Sequence, residues 1–178
     1  MTRDSYHLNT KTQLIVLEEL TRFFELLDAE FWLRGGWAVD FLLGKVTRKH
    51  SDIDIVTWIE NRVRLENELL IAGYEQIPVA EPFRDRQSDF RVDNVDITFG
   101  YLAYGLDGSL IMNGLPEWEW RADSLIPQYY WLHGKKAKVV HPKQLIEEKK
   151  IYREIGRPYR QKDEESMKIL YRIIAEFN

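Results

Sequence analysis

Two aspartates one residue apart, Asp52 and Asp54, open the apolar run Asp52-Ile53-Asp54-Ile55-Val56. On a strand, alternate side chains share a face, so the two carboxylates project together while Ile53 and Ile55 project to the other side. Neighbouring carboxylates repel, and a cation between them removes that cost. Magnesium takes such oxygen ligands and completes its shell with water and substrate phosphate oxygens. The alternative reading of this Asp-x-Asp, taken alone, is a solvated strand end, where acids also collect.

Three further clusters bear on the same chemistry. Gly35-Gly36 lies between the apolar run Phe31-Trp32-Leu33 and a second apolar stretch beginning at Trp37. Glycines there let backbone approach closely, and amides at a helix start favour phosphate oxygens; a plain turn is the alternative. Asp96 is a single carboxylate inside Val95-Asp96-Ile97-Thr98-Phe99. A charge in an apolar strand needs a partner. Either Asp96 reaches the site of Asp52 and Asp54, or it pairs with Arg84, Arg86 or Arg91. Finally, Glu117, Glu119 and Asp123 are interleaved with Trp118 and Trp120. Acids among aromatics suit a polycationic sugar, by charge pairing and stacking. A surface loop whose tryptophans pack on the core is the alternative.

The elements that must position these residues follow from periodicity and punctuation. Leu14, Leu17, Leu20, Phe24 and Leu27 recur at helical spacing, which predicts an amphipathic helix over 11–28. A short strand over 31–34, a short helix over 37–43 and a strand over 52–58 come next, then a helix over 60–72. Strands are predicted over 73–79, 89–92, 95–102 and 109–112, separated by turns. The stretch 116–132 is aromatic and receives no assignment. A strand over 138–140 and helices over 142–155 and 162–177 complete the chain, with Pro142 at its permitted first-turn position. The expected fold class is α+β: a mixed sheet flanked by helices, with a C-terminal helical portion. The expected organisation is a core over 1–115, with 116–178 an acceptor-side segment and helices packed as one unit with it.

Composition sets the outer limits. A chain of 178 residues, 44% hydrophobic and 30% charged, can bury a real core as one domain. A net charge of −4 argues against the nucleic-acid backbone as main partner, since that binding leans on clustered Lys and Arg. With no cysteine, disulfides and thiolate metal sites are excluded. No apolar run reaches membrane-spanning length and the first residues are polar, so a cytoplasmic protein, monomer or homodimer, is expected.

The segments Trp32-Leu33-Arg34-Gly35-Gly36-Trp37-Ala38-Val39-Asp40 and Gly44-Lys45-Val46-Thr47-Arg48-Lys49-His50-Ser51-Asp52-Ile53-Asp54-Ile55 together resemble the small antibiotic nucleotidyltransferases of the polymerase-β-like superfamily. The likeness is to the aminoglycoside 2''- and lincosamide nucleotidyltransferases. The resemblance implies that Asp52 and Asp54 bind Mg2+ bridged to a nucleoside triphosphate, ATP or another NTP. It implies that Asp96 is the third carboxylate, general base toward an acceptor hydroxyl and also a metal ligand. Gly35 and Gly36 would contact the phosphates. Many superfamily members carry a serine directly after a glycine at this turn; here Trp37 follows, so backbone amides must serve.

Arg48 and His50, just before the acid pair, are expected to meet the triphosphate, with a structural histidine as the other reading of His50. Asp40 is expected to pair with Arg48 or His50 and fix the loop. Lys149 would place an ammonium on a phosphate; Lys162-Asp163 resembles a feature of related enzymes and equally suits helix capping. Glu117, Glu119 and Asp123 would bind the acceptor. The implied activity is transfer of a nucleoside monophosphate, AMP from ATP, to a hydroxyl of a small molecule of aminoglycoside type, releasing pyrophosphate. Three rivals stand beside it: a protein-modifying nucleotidyltransferase of antitoxin-like kind, a catalytically silent nucleotide-binding module, and a metal-dependent phosphohydrolase.

Overall fold

The run that carries the acid pair is the middle of the sheet. In the computed structural model, which describes residues 3–154, 158 and 160–176, it forms β2 (Asp52–Trp58). Ile53, Ile55 and Val56 are wholly buried there, and removing one such side chain from water stabilises by about 1.5–3 kcal/mol. β1 (Phe31–Arg34) lies antiparallel on one side of β2, and β5 (Val95–Tyr104) lies parallel on the other. β3 (Glu75–Ile77) and β4 (Gln87–Val92) extend the sheet beyond β5 by antiparallel pairing.

The other edge is made late in the chain. β9 (Lys135–Val140) runs parallel to β1, and β8 (Leu125–Leu132) pairs antiparallel with β9. The order is therefore β3-β4-β5-β2-β1-β9-β8. The far end of β5 carries β6 (Leu110–Met112), which pairs in turn with β7 (Leu115–Trp120). The sheet is mixed, as expected. The unassigned stretch 116–132 resolves into most of β7 and all of β8. Its alternation was hidden because Trp118 and Trp120 face inward between exposed acids, while both faces of β8 carry aromatics. A boundary after residue 115 would fall on the first residue of β7, inside one continuous sheet.

Helices cover the sheet. α1 (Arg3–Leu26) begins earlier than its apolar stripe predicts and buries Leu14, Leu17, Leu20 and Phe24. α2 (Gly35–Leu43) follows β1 without a loop and touches β1, β2, β8 and β9. α3 (Arg62–Ile71) sits by the β3 side, with Leu65 and Leu69 buried. α4 (Pro142–Glu154) and α5 (Gln161–Glu176) pack on each other, and α5 also reaches α2. None of the helices is long and apolar enough, among the described residues, to cross a membrane.

Candidate active site

Parallel pairing of β2 with β5 sets Asp52 directly opposite Asp96, and Asp54 opposite Thr98. Because side chains alternate, these four residues share one face of the sheet, while Ile53, Ile55, Ile97 and Phe99 fill the core behind. Burial pushes the Asp52 carboxyl up, the Asp96 carboxylate pushes it further, and Lys162 pulls it back. Asp96 itself is half exposed and receives a 2.6 Å hydrogen bond from Arg91 Nε, its neighbour across the β4–β5 pair. Both readings of Asp96 therefore meet in the structure: it stands beside Asp52, and it is held by an arginine.

The turn into α2 has its own logic. Gly35 has φ +68°, a conformation that side chains rarely adopt, and a β-carbon on it would stand 3.3 Å from Asp54 Cβ. Gly36 is there for space: a β-carbon on it would overlap His50 Nδ1 and stand 2.5 Å from an Arg48 guanidinium nitrogen. The turn thus presses α2's first amides against both the acid pair and the loop that precedes it. That loop is clamped. His50 Nε2 lies 2.5 Å from the wholly buried Asp40, which also accepts bonds from the Thr47 amide and hydroxyl. Gln13 donates to the His50 carbonyl and accepts from Trp37 Nε1. Of the two partners expected for Asp40, Arg48 and His50, it is His50 that pairs with it, which gives His50 a structural role. Trp37 is core, which is why no hydroxyl stands at its position.

A cavity of about 140 Å³ opens where α2 begins. Gly35, Gly36, Arg48, His50, Asp52, Asp54 and Lys149 all line it, together with Arg160 and Lys162 from the start of α5. Burial and the nearby Arg160 and Arg48 lower the Lys162 ammonium, an effect Asp52 opposes. Lys149 donates to Asp163 at 2.9 Å, and Arg160 holds the same carboxylate. Four cations and a helix N-terminus meet four acids around this cavity, Asp52, Asp54, Glu148 and Asp163, a mixed lining that suits a polyanion carried with a metal ion. Sequence reasoning passed over Arg160 because its charge lies far along the chain, with no pattern tying it to Asp52.

A second cavity, of about 390 Å³, shares Asp52 and Asp54 with the first. Its other walls are Arg34, Phe83, Arg86, Gln87, Thr98, Gly100, Met112 and Trp118. Arg34, at the end of β1, stands 3.6 Å from Asp54 Oδ1 and 3.4 Å from Glu148 Oε1 on α4. Burial pushes Glu148 up to about 7, with Arg34 acting the other way. Neither residue drew notice as a charge pair in the sequence, since 114 positions separate them. Glu117 and Glu119 lie on the exposed face of β7, opposite Trp118, and Asp123 is bound by Arg121 at 2.9 Å. None of these three acids lines either cavity.

Asp52 and Asp54 fit a magnesium site of the kind completed by water and phosphate. The fit rests on Asp52 and Asp54 sharing one face of the sheet as the wall of a cavity that Arg48, Lys149, Arg160 and Lys162 also line. Among the described residues, no three acidic or histidine groups converge closely enough to hold a metal by themselves. With Asp96 on Arg91, the pair is what remains.

A sheet with this order and such a carboxylate face is the fold of nucleotidyltransferases. The antibiotic-resistance factor ANT(2'')-Ia, solved with adenylyl-2''-tobramycin, superposes with a TM-score of 0.74 at 20% identity, covering 93% of this chain and 92% of that one. A lincosamide antibiotic adenylyltransferase bound to lincomycin gives 0.67 at 22% identity, covering 91% and 96%. The sequence model of the aminoglycoside-2''-adenylyltransferase family matches residues 16–170, and the chain belongs to that family. A 2''-aminoglycoside nucleotidyltransferase of Klebsiella pneumoniae is 40% identical over 62 residues, and a lincosamide resistance protein of Staphylococcus haemolyticus 36% over 66. The first match covers 35% of each chain and the second 37% of this chain and 39% of the other, so this chain spans little more than a third of the curated relatives' length.

Proposed function

We propose that the protein is a magnesium-dependent nucleotidyltransferase that moves AMP from ATP onto a hydroxyl of an antibiotic-type small molecule, releasing pyrophosphate. The aminoglycosides of the family's description are the first acceptors to test. One observation carries the reading: Asp52 and Asp54 are the common wall of a cation-lined cavity and a larger aromatic one. A triphosphate in the first and an acceptor in the second would meet at the acid pair.

The residues divide the work. Asp52 and Asp54 hold the magnesium ion. When bound, the ion neutralises charge on the α-phosphoryl group and the departing pyrophosphate. The amides of Gly35 and Gly36, with Arg48, Lys149, Arg160 and Lys162, bind the phosphate oxygens. Asp96 leaves Arg91 and accepts the acceptor's hydroxyl proton. The freed oxygen forms its bond to the α-phosphorus as the bond to the bridging oxygen of pyrophosphate breaks. Most of the catalysis is positioning and charge placement.

The test is to incubate the protein with Mg2+, each of four NTPs, and a panel of aminoglycosides and lincosamides, and to measure pyrophosphate. Release that needs metal, nucleotide and acceptor together is expected. Phosphate release without an acceptor, or labelled AMP appearing on protein instead of drug, would overturn the reading.

A further inference from the structure

Resting on the reading that the second cavity takes the acceptor, we propose that Arg62 and Asn113 are positioning residues for acceptor binding. Neither lines that cavity. They act through the backbone of 84–87, which carries Arg86 and Gln87 into the cavity wall and follows directly on Phe83, a third wall residue. This segment leaves a single 3-10 turn (Glu81–Phe83) and enters β4 at Gln87.

Each of its carbonyls is met by a donor from elsewhere in the fold. The Arg62 guanidinium, at the start of α3, donates to the Arg84 carbonyl at 2.7 Å and to the Gln87 carbonyl at 3.4 Å. Asn113 Nδ2, in the turn between β6 and β7, donates to the Asp85 carbonyl at 2.6 Å. The Tyr101 amide of β5 donates to the Arg86 carbonyl at 2.9 Å. The turn that holds Asn113 is also packed on the segment, since a β-carbon on Gly114 would stand 2.6 Å from Asp85 Cβ. Arg62 is itself fixed. Its Nε donates to Glu66 Oε1 at 3.0 Å, and its guanidinium lies 4.9 Å from the centre of the Tyr101 ring. The same Glu66 oxygen accepts from the buried Ser88 hydroxyl, which accepts in turn from the buried Tyr101 hydroxyl at 3.0 Å. A planar fork of donors can meet a carboxylate and two carbonyls at once, whereas an ammonium on a flexible stem cannot.

The Arg86 guanidinium lies over the Phe83 ring at 4.4 Å. Two stacked side chains borne by one anchored stretch of backbone make a wall whose place is set before an acceptor arrives. Such preorganisation lowers the ordering cost of binding. Losing an anchor moves that cost into the binding step, so it shows in the acceptor's KM and leaves the nucleotide and the acid pair alone.

Steady-state kinetics at saturating Mg2+–ATP with varied tobramycin or lincomycin, read as pyrophosphate, test this. Arg62→Lys keeps the charge and loses the fork; Asn113→Ala removes one donor from a surface turn. Each is expected to raise the acceptor's KM about fivefold to tenfold, with kcat within about twofold. Calorimetric affinity for Mg2+ with a nonhydrolysable ATP analogue should not change. In a Phe83→Ala, Arg86→Ala background the stacked wall is gone, and Arg62→Lys should then leave KM where it stands. A general loss of stability would not produce that coupling. An acceptor KM that neither variant moves, a fall in kcat alone, weakened nucleotide binding, or an Arg62→Lys effect that persists in full in the double-alanine background would overturn the inference. Should Arg62→Lys not fold, Asn113→Ala in the same two backgrounds decides by the same criteria. A wild-type protein that releases no acceptor-dependent pyrophosphate would instead overturn the proposed nucleotidyltransfer.

Discussion

At Asp52 the stability of the apo protein and the needs of the loaded site pull in opposite directions. Its carboxyl is raised by burial and by Asp96, so ionising it costs the folded state free energy above the ordinary carboxylate range. Asp52→Asn removes that cost, and apo thermal stability should hold or rise at neutral pH. The same change, or Asp54→Asn, removes a ligand from an ion whose charge stabilisation is worth several kcal/mol, so turnover should fall more than about a hundredfold. Unfolding of either variant, or near-normal pyrophosphate release, would remove both from the metal site. Asp96 behaves differently if it is the base. Asp96→Asn should lower kcat by about 10²–10⁴-fold. Affinity for the Mg2+–nucleotide should stay within about tenfold, because the acid pair remains. Calorimetry with the ATP analogue decides it: lost nucleotide binding would make Asp96 chiefly a ligand.

Among the elements, the junction of β1 with α2 and the seat of α4 carry the site. Gly36→Ala places a methyl group where Arg48 and His50 stand. Overpacking of this kind costs about 1–3 kcal/mol. Thermal unfolding should report that loss, and nucleotide affinity should fall with it, since the displaced groups line the first cavity. α4 is tied to β1 through Glu148 and Arg34. With its carboxyl raised from 4.5 to about 7, Glu148 should weaken the fold progressively as pH rises between those values and fully above them. Below about pH 4 the carboxyl is protonated in both folded and unfolded chains and contributes no pH dependence. Comparing Glu148→Gln with wild type in denaturant titrations from pH 4 to 8 isolates the term. The variant should gain relative stability with pH, by up to about 3 kcal/mol. A flat difference would mean that Arg34 offsets the burial and leaves the Glu148 carboxyl titrating alike in the folded and unfolded chains.

For the molecule as a whole, the cavity proposed for the nucleotide is built from segments far apart in the chain. Gly35 to Asp54 supply its floor, and Lys162 on α5 with Arg160 just before it its far wall. Ligand binding should therefore stabilise the entire fold. Mg2+ with the ATP analogue at a hundredfold excess over Kd should add about 2.7 kcal/mol. In the double variant Arg160→Ala, Lys162→Ala the thermal shift should largely vanish at the same concentrations, with the apo melting temperature little changed. An undiminished shift would mean that the triphosphate does not use α5.

What could be read from the chain was whatever is local. Asp52 and Asp54 share a face because a strand alternates, and Gly35-Gly36 marks a turn because few residues tolerate its geometry; both hold whatever the rest of the molecule does. Helices betrayed themselves by spacing, and the Asp40–His50 pairing joins α2 to the loop that directly follows it. Pairing between strands is not local. Nothing near Asp96 in sequence states that β5 lies parallel to β2 in a register that sets it opposite Asp52, nor that Arg91 then crosses from β4 to hold it. Glu117 and Glu119 looked like acceptor ligands beside aromatic residues, yet strand alternation on β7 turns them away and gives the cavity to Trp118. Arg34 with Glu148, and Arg160 just ahead of α5, were silent in the sequence. A charge alone does not say which distant charge it will face, and that was settled only when β9, α4 and α5 packed back across β1 and α2.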